Sequence, residues 1–321
     1  MTEKQNIDTI RTFHDDLKKR LHQCIIGYDD LMDLLTIAFL SDGALLMEGV
    51  PGTAKTTLCK FFAQNIGGKF GRLQGAVDIL PMDVIGVQKY HQDKNTFTFT
   101  EGPIFANLFL VDEINRMTPK AQGALLEALA ERQVTLDNQT KHLPSPFLVI
   151  ATQNPYEMEG TFNLIESQKD RFTLSYRIEH LNVEDEVSVL KKGRTSGLDL
   201  GTYQQQKPLV EDPAAILAMQ ETVRSIYASD DILSYIGDLV EATRRHPDIK
   251  LGVSTRGSLA LLRSAMANAA IHGRDYVIPD DVKYLVPFVF AHRIILKRES
   301  SLNKISVDSI IKQILETVPV K

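Results

Sequence analysis

Two short stretches of this 321-residue chain carry side chains that could handle a phosphate group. In the first, GVPGTAKTT at 49–57 follows an apolar run and precedes a helical pattern, which predicts a strand, a tight loop and the first turn of a helix. Free backbone N–H groups and the helix dipole make such a loop attractive to anions. Lys55 could then reach the outer phosphates of a nucleotide, and the Thr56 hydroxyl could bind Mg²⁺.

The phosphate loop departs from its usual pattern at one position. Ala54 precedes the lysine, where the pattern has glycine. The added methyl group is tolerated if the backbone there is right-handed, and it costs about 1–2 kcal/mol if the backbone is left-handed. The alternative interpretation is a glycine-rich turn before a helix that carries a surface lysine.

The second stretch ends in two neighbouring carboxylates, Asp112 and Glu113. They follow the apolar run at 106–111, which is typical of a strand buried on both faces of a parallel sheet. With a phosphate loop nearby, Asp112 would hold Mg²⁺, directly or through water, and Glu113 would orient and deprotonate an attacking water. Alternatively, the two carboxylates only end the strand or open the next turn.

Further apolar runs predict the strands and helices that must position these side chains. The run at 147–152 leads into Gln153-Asn154-Pro155, which places Asn154 at the carboxyl edge of a sheet, where α/β proteins bind ligands. Strands are predicted before the phosphate loop and at 69–74, 96–100, 106–113, 147–152 and 174–178. Helices are predicted at 4–23, 29–40 and 55–66 and after Thr118-Pro119, with a short one within 78–86 and a hairpin formed by 133–136 and 141–143.

From Asn182 onwards the pattern predicts helices and no strands, which indicates a small helical domain. These helices begin at Asp212-Pro213 and Ser229-Asp230 or span 256–272, 279–292 and 307–317, and residues 201–208 are predicted to be a loop. In the helix at 256–272, one face is expected to be buried; its residues are Leu259, Leu262, Met266 and Ala269.

The composition is that of an ordinary globular protein, with 43% hydrophobic and 24% charged residues. The formal net charge of −5 argues against a general basic surface that would bind nucleic acid. It does not exclude a local basic channel. Cys24 and Cys59 lie far apart and near no histidine pair, which fits a reducing compartment and neither a zinc site nor a disulfide framework. The polar N-terminus and the lack of a long apolar run predict a cytoplasmic protein that does not insert into a membrane.

Several segments together resemble the MoxR family of AAA+ ATPases, over nearly the whole chain. They are GVPGTAKTT at 49–57, LFLVDEINRMTPKAQGALLEALAERQVT at 108–135, ATQNP at 151–155, ESQKDRF at 166–172, GVSTRGSLALL at 252–262 and GRDYVIPDDV at 273–282. Alanine before the Walker lysine also occurs in this family. One departure is Thr255, where the family has proline before the sensor arginine.

The resemblance implies an α/β fold, with a P-loop AAA+ core whose parallel five-stranded sheet is flanked by helices. A small all-α lid domain would follow at the C-terminus. The implied core spans 1–180, with the helix-2 insert at about 75–103 and a hairpin before sensor 1 at about 133–143. The implied lid spans 181–321.

The resemblance also implies residue roles. Glu113, Asn154, Arg171 and Arg256 would be catalytic: the water-activating base, sensor 1, an arginine finger offered to a neighbouring subunit, and the sensor 2 arginine that contacts phosphates in its own subunit. The metal would be held by Thr56 and Asp112. The nucleotide-binding residues would be Gly49, Val50, Pro51, Gly52, Thr53, Ala54, Lys55, Thr56, Thr57, Ile26 and Gly27.

Each of the three distal assignments has a plainer alternative. Arg171 could pair with Asp170 or Glu166, Arg256 could face solvent at a helix start, and Asn154 could be a turn residue. For the whole protein, the resemblance implies Mg²⁺-dependent ATP hydrolysis in a ring, expected to be a hexamer, that remodels client proteins with a separate von Willebrand factor A (VWA) domain protein. The alternatives are a nucleotide-gated switch that hardly hydrolyses ATP and a helicase-like motor, which the acidic balance disfavours.

Overall fold

The structure is a computed structural model that describes residues 3–49, 55–93, 95–136, 139–155, 160–196 and 207–320. Its strands are β1 (Ala44–Gly49), β2 (Phe70–Gln74), β3 (Gly86–His91), β4 (Thr96–Glu101), β5 (Leu108–Asp112), β6 (Gln133–Leu136), β7 (Gln139–His142), β8 (Leu148–Gln153), β9 (Leu174–Ile178), β10 (Ile249–Leu251) and β11 (Ile295–Leu296). Its helices are α1 (Glu3–Cys24), α2 (Asp29–Leu40), α3 (Lys55–Asn65), α4 (Pro81–Ile85), α5 (Pro119–Glu131), α6 (Glu166–Lys169), α7 (Val183–Ser196), α8 (Pro213–Arg224), α9 (Asp230–Arg245), α10 (Thr255–Ile271), α11 (Pro279–Phe290), α12 (Arg298–Leu302) and α13 (Val307–Thr317), with a 3₁₀ turn at Ile114–Arg116.

A parallel sheet of five strands, in the order β2-β5-β8-β1-β9, forms the centre of the α/β part. β1 pairs with β8 on one side and with β9 on the other, so Leu45 lies opposite both Ile150 and Leu174. The inner strands β5 and β8 are buried along their whole length, as expected for strands covered on both faces by helices. The prediction of a parallel five-stranded sheet is therefore confirmed.

Local signals in the sequence explain where several helices begin. Before α5, the Thr118 hydroxyl accepts a hydrogen bond from the Ala121 N–H at 3.4 Å, and Pro119 occupies the first helical position. Ser229 and Ser254 cap α9 and α10 in the same way. A capping side chain satisfies one of the N–H groups that the first helical turn leaves unpaired.

Two apolar cores cover the two faces of the sheet. The larger one joins one face of the sheet to α1, α2 and α3 and to the helices of the C-terminal lid, with Leu17, Leu45 and Leu285 all fully buried in it. The smaller one lies on the other face, between the sheet, α4 and α5, and includes Leu125 and Phe172. The proposed division of the chain at residue 180 falls between β9 and α7, and the larger core contains residues from both sides of it.

The insert at 75–103 contains a two-stranded antiparallel ribbon of which only one strand is predicted above. β3 pairs with β4 from Gly86 opposite Glu101 to His91 opposite Thr96. The sequence of β3, GVQKYH, lacks an apolar face, and pairing with β4 rather than burial holds it. Near the tip, the rings of Tyr90 and Phe97 lie 5.0 Å apart and are largely exposed.

The second hairpin forms as predicted, with a shorter turn. β6 pairs with β7 from Gln133 opposite His142, and β7 begins at Gln139 rather than at Lys141. The turn residues 137–138 lie outside the described residues.

The lid differs from the sequence prediction in two details. It contains a small antiparallel pair, β10 with β11, although no strand is predicted after Asn182. Leu259, expected on the buried face of α10, is 49% exposed, while Ala260 and Leu261 are buried. The helix buries many small residues, so its true inner face has a weaker apolar pattern than the one chosen from leucines. Most of the predicted 201–208 loop lies outside the described residues.

No helix in the described ranges combines the length and the apolar character needed to cross a bilayer. The α1 helix is amphipathic instead, with its apolar side packed into the larger core.

Replacing Leu17 with alanine tests how much α1 contributes to the fold. Leu17 is fully buried in the larger core, so its truncation should lower the free energy of unfolding by about 2–5 kcal/mol. Chemical denaturation measures the change, and Thr12→Ala on the exposed side of the same helix is the control. Equal stability of both variants would show that α1 is not part of the cooperative core.

Candidate functional site

The carboxyl edge of the sheet brings the two phosphate-related stretches together. Lys55, the first residue of α3, donates from Nζ to the Gly49 carbonyl at the end of β1, at 3.0 Å. The next residue, Thr56, donates from Oγ1 to Asp112 Oδ2 at the end of β5, at 3.2 Å. The structure therefore joins residues 56 positions apart in the sequence into one polar cluster.

Asp112 is the most buried member of this cluster. It is only 6% exposed, and its carboxylate accepts from Arg72 Nε at 2.8 Å and from the Thr152 hydroxyl at 3.5 Å. Arg72 lies on the edge strand β2, next to β5, and no motif in the sequence marks it as a site residue. Only strand order places this arginine beside the acid, and nothing in the local sequence predicts that order.

Glu113 is held by contacts on several sides. Its backbone is left-handed, with φ 55° and ψ 53°, and its N–H donates to Thr152 Oγ1 at 2.9 Å. Its carboxylate accepts from Gln74 Nε2 at 3.0 Å and from Arg116 Nη1 at 3.4 Å. A left-handed backbone at a residue other than glycine costs free energy and persists only where the surroundings enforce it.

Gly75 is part of that enforcement. Its N–H donates to the Asp112 carbonyl at 2.6 Å, and a Cβ atom at this position would lie 2.1 Å from the Glu113 carbonyl oxygen. Only glycine permits such a close approach of two backbones. Gly75 thus keeps the peptide between the two acids in place.

The side chains at this edge fit a magnesium ion that accompanies a nucleotide. Mg²⁺ takes oxygen ligands, with one or two carboxylates supplemented by phosphates and water. The Thr56 hydroxyl and the Asp112 carboxylate are adjacent oxygen donors of this type.

The ammonium group of Lys55 is partly buried. Burial lowers the pKa of its ammonium group, and the nearby carboxylates of Asp112 and Glu113 act in the opposite direction without cancelling the effect. The charged form of Lys55 therefore destabilises the fold when no anion is bound, as is common for residues that bind anionic ligands.

The other predicted nucleotide-binding residues lie around the same edge or outside the described residues. Gly49 packs so closely on β9 that a Cβ would come within 2.7 Å of the Ile178 carbonyl oxygen, and Gly27, at φ +72°, lies against Leu181 and Asp185. Ile26 precedes Gly27, and Thr57 follows Thr56 in α3. The side chains of Ile26 and Thr57 are half-buried. Val50, Pro51, Gly52, Thr53 and Ala54 lie outside the described residues.

Asn154 follows β8, which lies between β5 and β1, so it emerges between Asp112 and Gly49. Its backbone carbonyl accepts from Asn115 Nδ2 at 3.3 Å. The preceding residue, Gln153, donates to the Glu48 carboxylate on β1. These contacts fix Asn154 and the residue before it at the expected edge.

The two remaining predicted residues lie at the opposite, amino edge of the sheet. Arg171 and Arg256 line one pocket of about 480 Å³ together with Ala44, the first residue of β1. Arg171 donates from Nη1 to the Leu126 carbonyl of α5 at 2.7 Å, whereas the carboxylate of Asp170 pairs with other arginines. The alternative in which Arg171 pairs with Asp170 is thus not what the structure has.

This placement puts Arg256 far from the phosphate loop of its own subunit, whose phosphates it is predicted to contact. Arg256 is 56% exposed and forms an ion pair with Asp170 at 3.8 Å. The six residues of β1 span roughly 16 Å, which separates this edge from Lys55 by much more than an arginine side chain can bridge. Helix α10 begins beside the segment that precedes β9. Because β9 runs parallel to β1, this segment lies at the same edge as the start of β1, whereas Lys55 follows the end of β1.

Replacing Lys55 with methionine tests the electrostatic cost of this site. The thermal midpoint of the ligand-free protein should rise by about 1–3 °C, because the stem stays and the partly buried charge is lost. The difference in thermal midpoint between variant and wild type should shrink at alkaline pH. A lysine whose pKa is lowered by folding destabilises the folded protein most at pH values where it is protonated in both the folded and the unfolded state. Any rise in the thermal midpoint that ATP with Mg²⁺ produces in the wild type should be absent in this variant. Lys60→Met, exposed on the same helix, should change neither property.

Comparisons with known proteins show the family to which this chain is related. A family model described as "ATPase family associated with various cellular activities (AAA)" matches residues 44–174, and one described as "AAA lid domain" matches 241–314. Chaperone MoxR1 of Mycobacterium tuberculosis is 37% identical over 92% of this chain and 78% of its own. The Bacillus subtilis protein YeaC, described as uncharacterized, is 41% identical over 94% of this chain and 93% of its own.

A solved structure shows the same architecture over the full length. The crystal structure of a candidate ATPase from Cytophaga hutchinsonii superimposes with a TM-score of 0.90 and 35% identity, and the match covers 99% of this chain and 97% of that one. The α/β P-loop fold with a C-terminal helical lid is therefore shared. By these relatives and by its own fold, the chain belongs to the MoxR family of AAA+ ATPases.

Proposed function

We propose that this protein hydrolyses ATP at a site shared between two subunits of a ring and uses the cycle to remodel client proteins. The observation that carries the proposal is the separation of the predicted catalytic residues. Lys55, Thr56, Asp112 and Glu113 lie at the carboxyl edge of the sheet, whereas Arg171 lies at the amino edge. One copy cannot bring both groups to the same phosphate, but two copies arranged head to tail can, and such contacts close into rings.

Within one subunit, the carboxyl edge binds the nucleotide and prepares the water. Lys55 donates to the outer phosphates, and Asn154 orients a water against the γ-phosphate. Glu113 accepts the proton of that water, and Gln74 and Arg116 keep its carboxylate in place. A magnesium ion held by Thr56 and Asp112 would neutralise charge on the phosphates.

The neighbouring subunit would complete the site with arginine. Phosphoryl transfer depends mainly on positioning and on the stabilisation of charge, and a finger from another chain raises the rate about 10³–10⁵-fold. Arg171 uses one N–H for the Leu126 carbonyl, which orients a guanidinium that has further donors. Because Arg256 lines the same pocket, we assign it to the neighbour's nucleotide as well, in place of its own.

The client-facing role falls to the insert. Tyr90 and Phe97 form an exposed aromatic pair on its ribbon, a feature suited to transient contact with unfolded or partly folded protein. The name of the relative Chaperone MoxR1 supports a chaperone role. A hexameric ring, a separate VWA-domain partner and a cytoplasmic location complete the proposal, with no role for nucleic acid.

Replacing Glu113 with glutamine should separate binding from hydrolysis. The amide cannot accept the water's proton, so ATP turnover should fall about 10²–10⁴-fold while ATP affinity stays close to wild type. Phosphate release and binding of a fluorescent ATP analogue measure the two properties, with Glu127→Gln, at an exposed position of α5, as the control. Unchanged turnover would instead favour another base, and a wild type that hardly turns over would favour the nucleotide-gated switch.

Replacing Arg171 with alanine tests whether the site is shared. Turnover per subunit should rise with protein concentration in the wild type and fall at least about 10³-fold in Arg171→Ala. Mixing Arg171→Ala with Glu113→Gln should restore part of the activity, because a Glu113→Gln subunit still offers its arginine to a neighbour with an intact base. Arg177→Ala, an exposed arginine on β9, serves as the control. A rate that is independent of concentration, with an active Arg171→Ala, would contradict the shared site.

A further inference from the structure

The segment that carries Arg171 is tied to the lid by a buried ionic cluster to which the function above gives no role. Arg293 follows α11 and is only 6% exposed. Its Nε donates to Asp170 Oδ1 at 2.8 Å, and its two terminal nitrogens donate to backbone carbonyls of the same segment, those of Asp170, Phe172 and Thr173. One side chain of the lid thus holds the chain on both sides of Arg171.

Asp170 reaches a second lid element with the same carboxylate. The Ser254 hydroxyl lies 2.9 and 3.0 Å from its two oxygens and donates to it. Ser254 is also the N-cap of α10, where its Oγ accepts from the Gly257 N–H at 3.2 Å. The guanidinium of Arg256, in the first turn of the same helix, lies 3.8 Å from Asp170 Oδ2.

The Asp170 carboxylate therefore links the segments that carry Arg171 and Arg256, which are distant in the sequence. Arg171 is its neighbour in sequence, and Arg256 is its partner in space. Arg293 already has backbone carbonyls for its other donors, so the segment at 170–173 stays attached to α11 without the negative charge. What depends on the charge is the position of the start of α10, and with it the position of Arg256.

We propose that Asp170 is a positioning residue that sets Arg171 and Arg256 at a fixed spacing, so that both reach one phosphate group of the neighbouring subunit. This inference rests on the proposed function. Displacement of a catalytic group by about 1 Å can cost about 10²-fold in rate, which is why a fixed spacing matters. Because the pair is joined through the lid, any movement of the lid carries both arginines together.

Asp170→Asn is the variant that tests the proposal, because it keeps the size of the side chain and one oxygen for Arg293 but removes the charge. We expect kcat to fall about 10–100-fold with little change in KM for ATP, since the subunit's own phosphate loop lies at the other edge. Mixing Asp170→Asn with Glu113→Gln should restore part of the activity, as each Asp170→Asn subunit then receives intact arginines from its neighbour. Glu166→Gln, an exposed acid four residues earlier, is the matched control and should behave as wild type.

The outcomes separate this inference from the proposed function. If Arg171→Ala loses activity while Asp170→Asn keeps the wild-type rate, the positioning role is wrong and the shared site stands. A loss in Asp170→Asn that mixing does not restore also overturns the positioning role, because it places the defect in the subunit's own site or fold. If Arg171→Ala itself is active, the proposed function fails first.

A second variant keeps the test decisive if Asp170→Asn does not fold. Ser254→Ala removes the hydroxyl that joins the carboxylate to α10, together with its capping bond to the Gly257 N–H, and leaves the Arg293 pair intact. Its kcat should fall less, by about 3–10-fold, because one hydrogen bond to the carboxylate is lost while the charge and the Arg293 pair remain. The mixing experiment should restore it in the same way, and a wild-type kcat in this variant would overturn the proposal.

Discussion

The parallel direction of the five central strands is the constraint on which the rest of the site depends. Since all five strands point the same way, every residue that follows a strand appears at one edge and every residue that precedes a strand appears at the other. The Walker lysine, the two acids and Asn154 follow strands, and Arg171 precedes one. The distribution of chemistry over two edges is thus a property of the topology, not of any individual side chain.

Much of this arrangement could be predicted because strands buried in a parallel sheet have continuous apolar sequences. The runs before Asp112 and Asn154 have few alternatives in a chain of this composition, and the polar residues after them had to lie at the carboxyl edge. Thr118 and Pro119 likewise predicted the start of α5, because capping depends on neighbouring residues alone. These features are local, and local features are the ones that a single sequence states clearly.

The remaining features depend on contacts between distant parts of the chain. Arg72 lies beside Asp112 only because β2 pairs with β5, and the partners of Glu113 come from three separate elements. The position of Arg256 at the amino edge could not be predicted, because the sequence gives the start of its helix but not the direction in which the lid packs. The exposed Leu259 has a similar origin, since a helix that buries small residues hides its inner face from any search for large ones.

The larger core has a consequence for how the molecule can move. Side chains of α1 and α2, of the sheet and of the lid pack together in one continuous apolar core, so a large rotation of the lid would have to break this core. A hinge would expose much of this surface to water. Packed helices accommodate change by sliding over one another by about 1–2 Å, in the manner called shear. We therefore expect movements of the lid to be short, so that in the proposed ring a large displacement of a client would require many subunits acting in turn.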